Sequence, residues 1–154
     1  MKKTSVFACL VLAISAATSI RAHHSFSMFD ASKEEVVVGE VVRWAFNSPH
    51  TALYLRDAKG TTWGFEGAAP PALVGRNPKI DGFTFKPGDR VTMIHCPLSD
   101  GRNGGAIGLV MTKDGTWYNP ADGGCRAGAS QENWKKWLEA GYTSKAQAEA
   151  TAKK

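Results

Sequence analysis

The sequence predicts a mainly β fold, and three observations carry that prediction. Short segments rich in β-branched and aromatic residues recur, with turn residues between them. They run in the order three strands, one short helical stretch, two more strands. A capped helical pattern stands near the C-terminus. Together these describe a small five-stranded OB-like barrel with a short helix between strands 3 and 4 and a C-terminal helix. A plain antiparallel sandwich is the other architecture the pattern allows.

The first strand is "EVVVGEVVRW", residues 35–44, in which Gly39 reads as a bulge or tight bend that lets the strand curl. "NSPH" interrupts, and "TALYLRD" (51–57) resumes with alternating character. "DAKG" (57–60) is a turn that leads into "TTWGFEG" (61–67), which completes a curved meander. Pro70 and Pro71 open a short helix that Ala72 to Val74 continue and Gly75 ends. A Lys-Pro-Gly-Asp turn feeds the fourth strand, 90–96. The glycine-rich loop "PLSDGRNGG" (97–105) leads to the fifth strand within "AIGLVMTKDG" (106–115). Ser130 caps a helix through "QENWKKWLEAG", whose stripe of Trp134, Trp137 and Leu138 is expected to pack on the barrel. "TSKAQAEATAKK" (143–154) extends as a second helix or frays.

Residues 1–22 read as a secretory signal peptide. Lys2 and Lys3 give a basic start, Val6 to Ala17 form an apolar core too short to span a bilayer, and Ala22 precedes the cut. The expected organisation is a signal at 1–22, a barrel domain at 23–118 and a C-terminal extension at 119–154. The mature chain begins at His23, is periplasmic or secreted, and has no membrane span. Processing removes Lys2, Lys3 and Arg21, leaving 16 basic and 14 acidic residues, a net charge of +2. No basic cluster remains on one face, which argues against nucleic-acid binding. Cys9 leaves with the signal, and in an oxidising compartment Cys96 and Cys125 are expected to form a disulfide.

The segments "AHHSF", "MFD", "GEVVRW", "NSPH" and "PGDRVT", in that order from His23 to Gly115, resemble a family of exported bacterial proteins of unknown function with a mature His-His-Ser-Phe N-terminus. The resemblance implies export and a small β-rich fold, and it carries no established activity. Where that family reads Trp-Asn-Pro-His, this chain reads "WAFNSPH", with extra residues between Trp44 and His50. More distantly, the barrel order is similar to small periplasmic OB-fold proteins, some of which bind copper or envelope ligands.

The chemistry expected first is copper binding. An N-terminal His23 offers an α-amine and an imidazole that close one chelate ring, and a third nitrogen completes a T-shaped site. The amine's ordinary pKa of about 8 lets copper displace its proton at neutral pH, and nitrogen-rich sites favour Cu²⁺. His50 is the candidate third ligand, set against a loop histidine satisfied by backbone groups. His24 adds an imidazole or backbone nitrogen, set against a solvated terminus. A cut after Ala17 would abolish the chelate. His95, on the fourth strand, reads as buried and hydrogen-bonded instead. A metal-delivery or envelope protein is the expected partner class.

The alternative is an OB-like module for an envelope ligand or protein partner, with no metal. In that reading Arg102, in the 97–105 loop, anchors an anionic or sugar ligand, against a loop that binds nothing. Trp44, Trp63 and Trp117 read as core or barrel rim. No nucleophile elbow, His-Glu-x-x-His or phosphate loop is present, and no catalytic residue is nominated.

Overall fold

A computed structural model describes residues 26–125 and 131–153. After a 3₁₀ turn at Phe26–Met28 come β1 (Glu35–Ala45), β2 (Thr51–Asp57), β3 (Thr62–Gly67), α1 (Pro70–Leu73), β4 (Arg90–Pro97), β5 (Gly104–Thr112) and β6 (Trp117–Tyr118). Two helices follow, α2 (Gln131–Glu139) and α3 (Lys145–Ala152). The sheet order is β3-β2-β1-β4-β5-β6, and β3 also pairs in parallel with β5, which closes the five main strands into a barrel. The predicted order of strands and helices is therefore the observed one. The sixth strand is a short addition beside β5.

The first pair of the closure requires a glycine on β5. Gly104 has φ +155°, and a Cβ there would sit 2.2 Å from the Gly64 carbonyl oxygen. Only glycine lets β5 approach β3 this closely. The bend in β1 is not at Gly39 as expected. The register slips between Val41 and Arg43, so the bulge falls at Val42. Gly39 serves a different purpose, since a Cβ there would lie 2.9 Å from the Arg56 carbonyl oxygen on β2.

Alternation along the strands divides the apolar residues into two cores. The barrel interior holds Val41, Leu53, Leu55, Phe65, Met93 and Ile107, and Leu73 of α1 joins it. Ile80 and Phe85, from the irregular stretch before β4, are also buried there. A second core lies outside the barrel, where Ile94, Cys96, Ala106 and Leu109 meet Phe29, Cys125 and Trp134. The expected stripe on α2 packs here, with Trp134 fully buried and Trp137 and Leu138 half-buried. The Cys96–Cys125 disulfide is formed, with Cα atoms 5.3 Å apart. Beyond α2 the chain pairs with the start of β1, where the Val36 N–H donates to the Thr143 carbonyl (2.9 Å) and the Lys145 N–H to that of Glu34 (2.8 Å). Ser144 then caps α3 by accepting from the Gln147 N–H. None of the helices among the described residues is long and apolar enough to cross a membrane.

His95 is buried, as expected, but its Nδ1 has no hydrogen-bond partner among the described residues. The ring lies inside the barrel, edge-on to Phe65 at 4.9 Å and to Trp63 at 6.0 Å between centroids. Burial pushes its pKa from the ordinary 6.5 down to about 4, opposed in part by the Cys96 backbone. Between these two values the unfolded chain takes up a proton that the folded chain refuses, so stability falls as pH drops through the window. The loss by pH 4 is roughly 3 kcal/mol. Urea unfolding at pH 7 and pH 4.5 checks this. His95→Phe should remove much of the pH dependence, and an unchanged pH slope in that variant would rule out His95 as its source.

Candidate functional site

The loop between β1 and β2 delivers His50 to the outer face of the sheet, immediately before β2. Its Nδ1 lies 3.1 Å from Asp122 Oδ2 and 3.6 Å from Glu66 Oε1. Glu66 arrives through the β2–β3 register, which pairs Thr51 with Gly67 and Ala52 with Glu66. Asp122 arrives from a segment held at several points. The Arg76 guanidinium donates to the Asn119 carbonyl, and at 2.9 Å to the Ala121 carbonyl. The Ala68 N–H donates to the Pro120 carbonyl (2.8 Å), and Cys125 is tied to β4. An arginine half withdrawn from water and spent on backbone carbonyls positions the chain. Here it sets Asp122 against the imidazole.

His50 opens into a pocket of about 290 Å³. Thr51, Ala52 and Tyr54 of β2 and Gly64, Phe65 and Glu66 of β3 line one side. Leu98 and Arg102 of the β4–β5 loop line another, with Met28 and Phe29 from the chain's approach to β1. That approach is fixed by backbone bonds, with the Asp30 N–H donating to the Pro97 carbonyl (2.8 Å) and the Ser99 N–H to that of Met28 (2.9 Å). Arg102 is steadied by Asp100, whose Oδ2 accepts from Nε at 2.8 Å. The Arg102 backbone N–H first, and then its side-chain donation, hold the Asp100 carboxyl below its ordinary range.

Two of the residues singled out in the sequence, His50 and Arg102, thus share one pocket although they come from different loops. His95 does not join them, because it faces the barrel interior. His23 and His24 lie outside the described residues. Among the described residues, no three His, Cys, Asp or Glu side chains are grouped so as to hold a metal ion. Glu66 and Asp122 carry no recognisable spacing in the sequence. The only cue to Glu66 was its place beside Gly67 at the end of a strand. Trp44 and Trp63 are partly buried against the barrel core, with Trp44 donating to the Asp81 carbonyl (2.8 Å) and Trp63 to Asp57 Oδ2 (3.0 Å), while Trp117 packs on the outer core.

Residues 11–108 match the model of a family of unknown function, DUF6152. The chain belongs to DUF6152. The matched stretch contains β1 to β4 and every residue lining the pocket from His50 to Gly105, while Asp122, Cys125 and the two C-terminal helices lie beyond it. No curated protein matches the chain. No solved structure matches it either.

Proposed function

We propose that this protein is a binding module whose ligand sits on the outer face of β2 and β3, beneath the β1–β2 and β4–β5 loops. One observation carries the reading. His50 and Arg102 line a single pocket over the strand face and between the loops that OB-like barrels use for ligands. Polar groups converging on a partly apolar concavity are what a ligand site requires.

A second reading, that the ligand is a transition metal, has its own support. Histidines that ligate metals commonly set the other ring nitrogen against a carboxylate, which fixes the orientation of the ring. His50 has that arrangement, with Nδ1 facing Asp122 Oδ2 at 3.1 Å. The nitrogen a metal would take is then Nε2, and further donors have to come from beyond the described residues. His23 and His24 are the natural source. Met28 lines the pocket, and His23 lies only five residues before it in sequence. Export, cleavage after Ala22 and Cu²⁺ as the preferred ion complete this reading.

The test is intact mass and Cu²⁺ titration of the exported protein, followed by amide shifts. We expect a chain that starts at His23 and binds one Cu²⁺, with affinity at least tenfold weaker in His23→Ala and in His50→Ala. A different N-terminus, or unchanged affinity in His50→Ala, removes the metal reading. Ligand-induced shifts confined to another face of the barrel would remove the module reading as well.

A further inference from the structure

The pocket's floor is unusual. At the β3–β5 closure Gly64 pairs with Gly104 and Phe65 with Gly105, so the outer surface there is largely bare backbone. Tyr54 pairs with Gly64 across β2 and β3. Its ring leans over that glycine, and a Cβ on Gly64 would lie 3.3 Å from Tyr54 Cε1 and 3.6 Å from Cδ1. An aromatic ring therefore lies beside a strip without side chains, and Leu98 and Met28 also line the pocket. The result is a pocket in which the Tyr54 ring stands over bare backbone.

The charges around the pocket select among ring-bearing ligands. Glu66 lines it and Asp122 stands behind His50, while the one arginine is already paired with Asp100. A phosphate, sulfate or uronate would meet these carboxylates unfavourably, which disfavours an oligonucleotide. An uncharged sugar suits the site. Its C–H face packs on an aromatic ring, and its hydroxyls donate to carboxylate oxygens and accept from guanidinium N–H groups. At about 290 Å³ the pocket is at the small end for ligand sites, enough for one ring and part of the next.

We propose that the pocket takes an uncharged saccharide ring stacked on Tyr54, with Glu66 and Arg102 reading its hydroxyls. This rests on the pocket being the ligand site, and it names the class of ligand. The experiment is an amide-shift titration of the full exported protein with chitotetraose and maltotetraose. Oligogalacturonate and an eight-residue oligothymidylate serve as anionic probes. We expect at least one neutral tetrasaccharide to shift amides of 51–54, 64–66 and 104–105 and the anionic probes to do so more weakly. Tyr54→Ala should weaken the neutral sugar at least tenfold, and Tyr54→Phe, which keeps the ring, should retain it. Equal affinity in Tyr54→Ala, or a preference for the anionic probes, overturns the proposal and leaves the pocket reading standing. Shifts confined to another face overturn both.

Discussion

Trp134→Ala is expected to cost this protein about 4 to 8 kcal/mol. Trp134 is fully buried between α2 and the outer face of the barrel. Truncating a buried Trp costs about 3–5 kcal/mol through lost transfer energy and the cavity left behind. A Cβ on Gly108 would lie 3.1 Å from Trp134 Cη2, so the glycine and the indole fit one another. The indole N–H also donates to Glu34 Oε2 at 2.5 Å, and Glu34 is itself buried. Losing that donor leaves a buried carboxylate short of a partner, at a further cost of about 1–3 kcal/mol. Trp134→Phe separates the two effects, because it keeps most of the packing and loses only the donor. Urea unfolding of both variants checks the argument. A loss below about 1 kcal/mol in Trp134→Ala would mean that α2 contributes little to holding the barrel together.

The same residue shows how much of the structure was legible. Trp134, Trp137 and Leu138 stand at helical spacing, and that periodicity was enough to predict which face of α2 is buried. The strands were legible for a similar reason, since β-branched runs between "DAKG" and Lys-Pro-Gly-Asp turns leave few other conformations open. The bend at Val42 was not legible. Both Gly39 and the following valines can accommodate a bulge, and the choice is made by how β2 packs against β1. Ile80 and Phe85 were missed as core residues because they sit among Pro, Gly and Asp with no period, and only the tertiary fold brings them into the barrel. At the pocket, residue type and loop position pointed to His50 and Arg102. Glu66 and Asp122 depend on a strand register and on the anchoring of 119–125, which are long-range outcomes. Tyr54 read as one step in an alternation, and its role emerges only from the glycine opposite it.

Replacing both Cys96 and Cys125 with alanine is expected to lower stability by about 3 to 4 kcal/mol. The bridged residues are 29 apart in sequence, and a cross-link over a loop of that length removes about that much entropy from the unfolded chain. Both cysteines are fully buried in the outer core, so alanine also leaves small voids there. The variant should unfold at lower urea and with a steeper dependence on it, because an unbridged chain exposes more surface when unfolded. An unchanged midpoint would mean that the bridge adds nothing beyond the packing around it. A second consequence reaches the pocket. The segment that carries Asp122 is held by Arg76 at Asn119 and Ala121 and by the disulfide at Cys125. Freeing the second anchor leaves Asp122 tethered from one side, so its 3.1 Å approach to His50 is no longer fixed from both. Under conditions where the double variant remains folded, its amide shifts should therefore change around His50 and Glu66 as well as around the lost bridge. Changes confined to the neighbourhood of residues 96 and 125 would show that Arg76 and the Ala68–Pro120 backbone bond are enough to hold the acidic wall of the pocket in place.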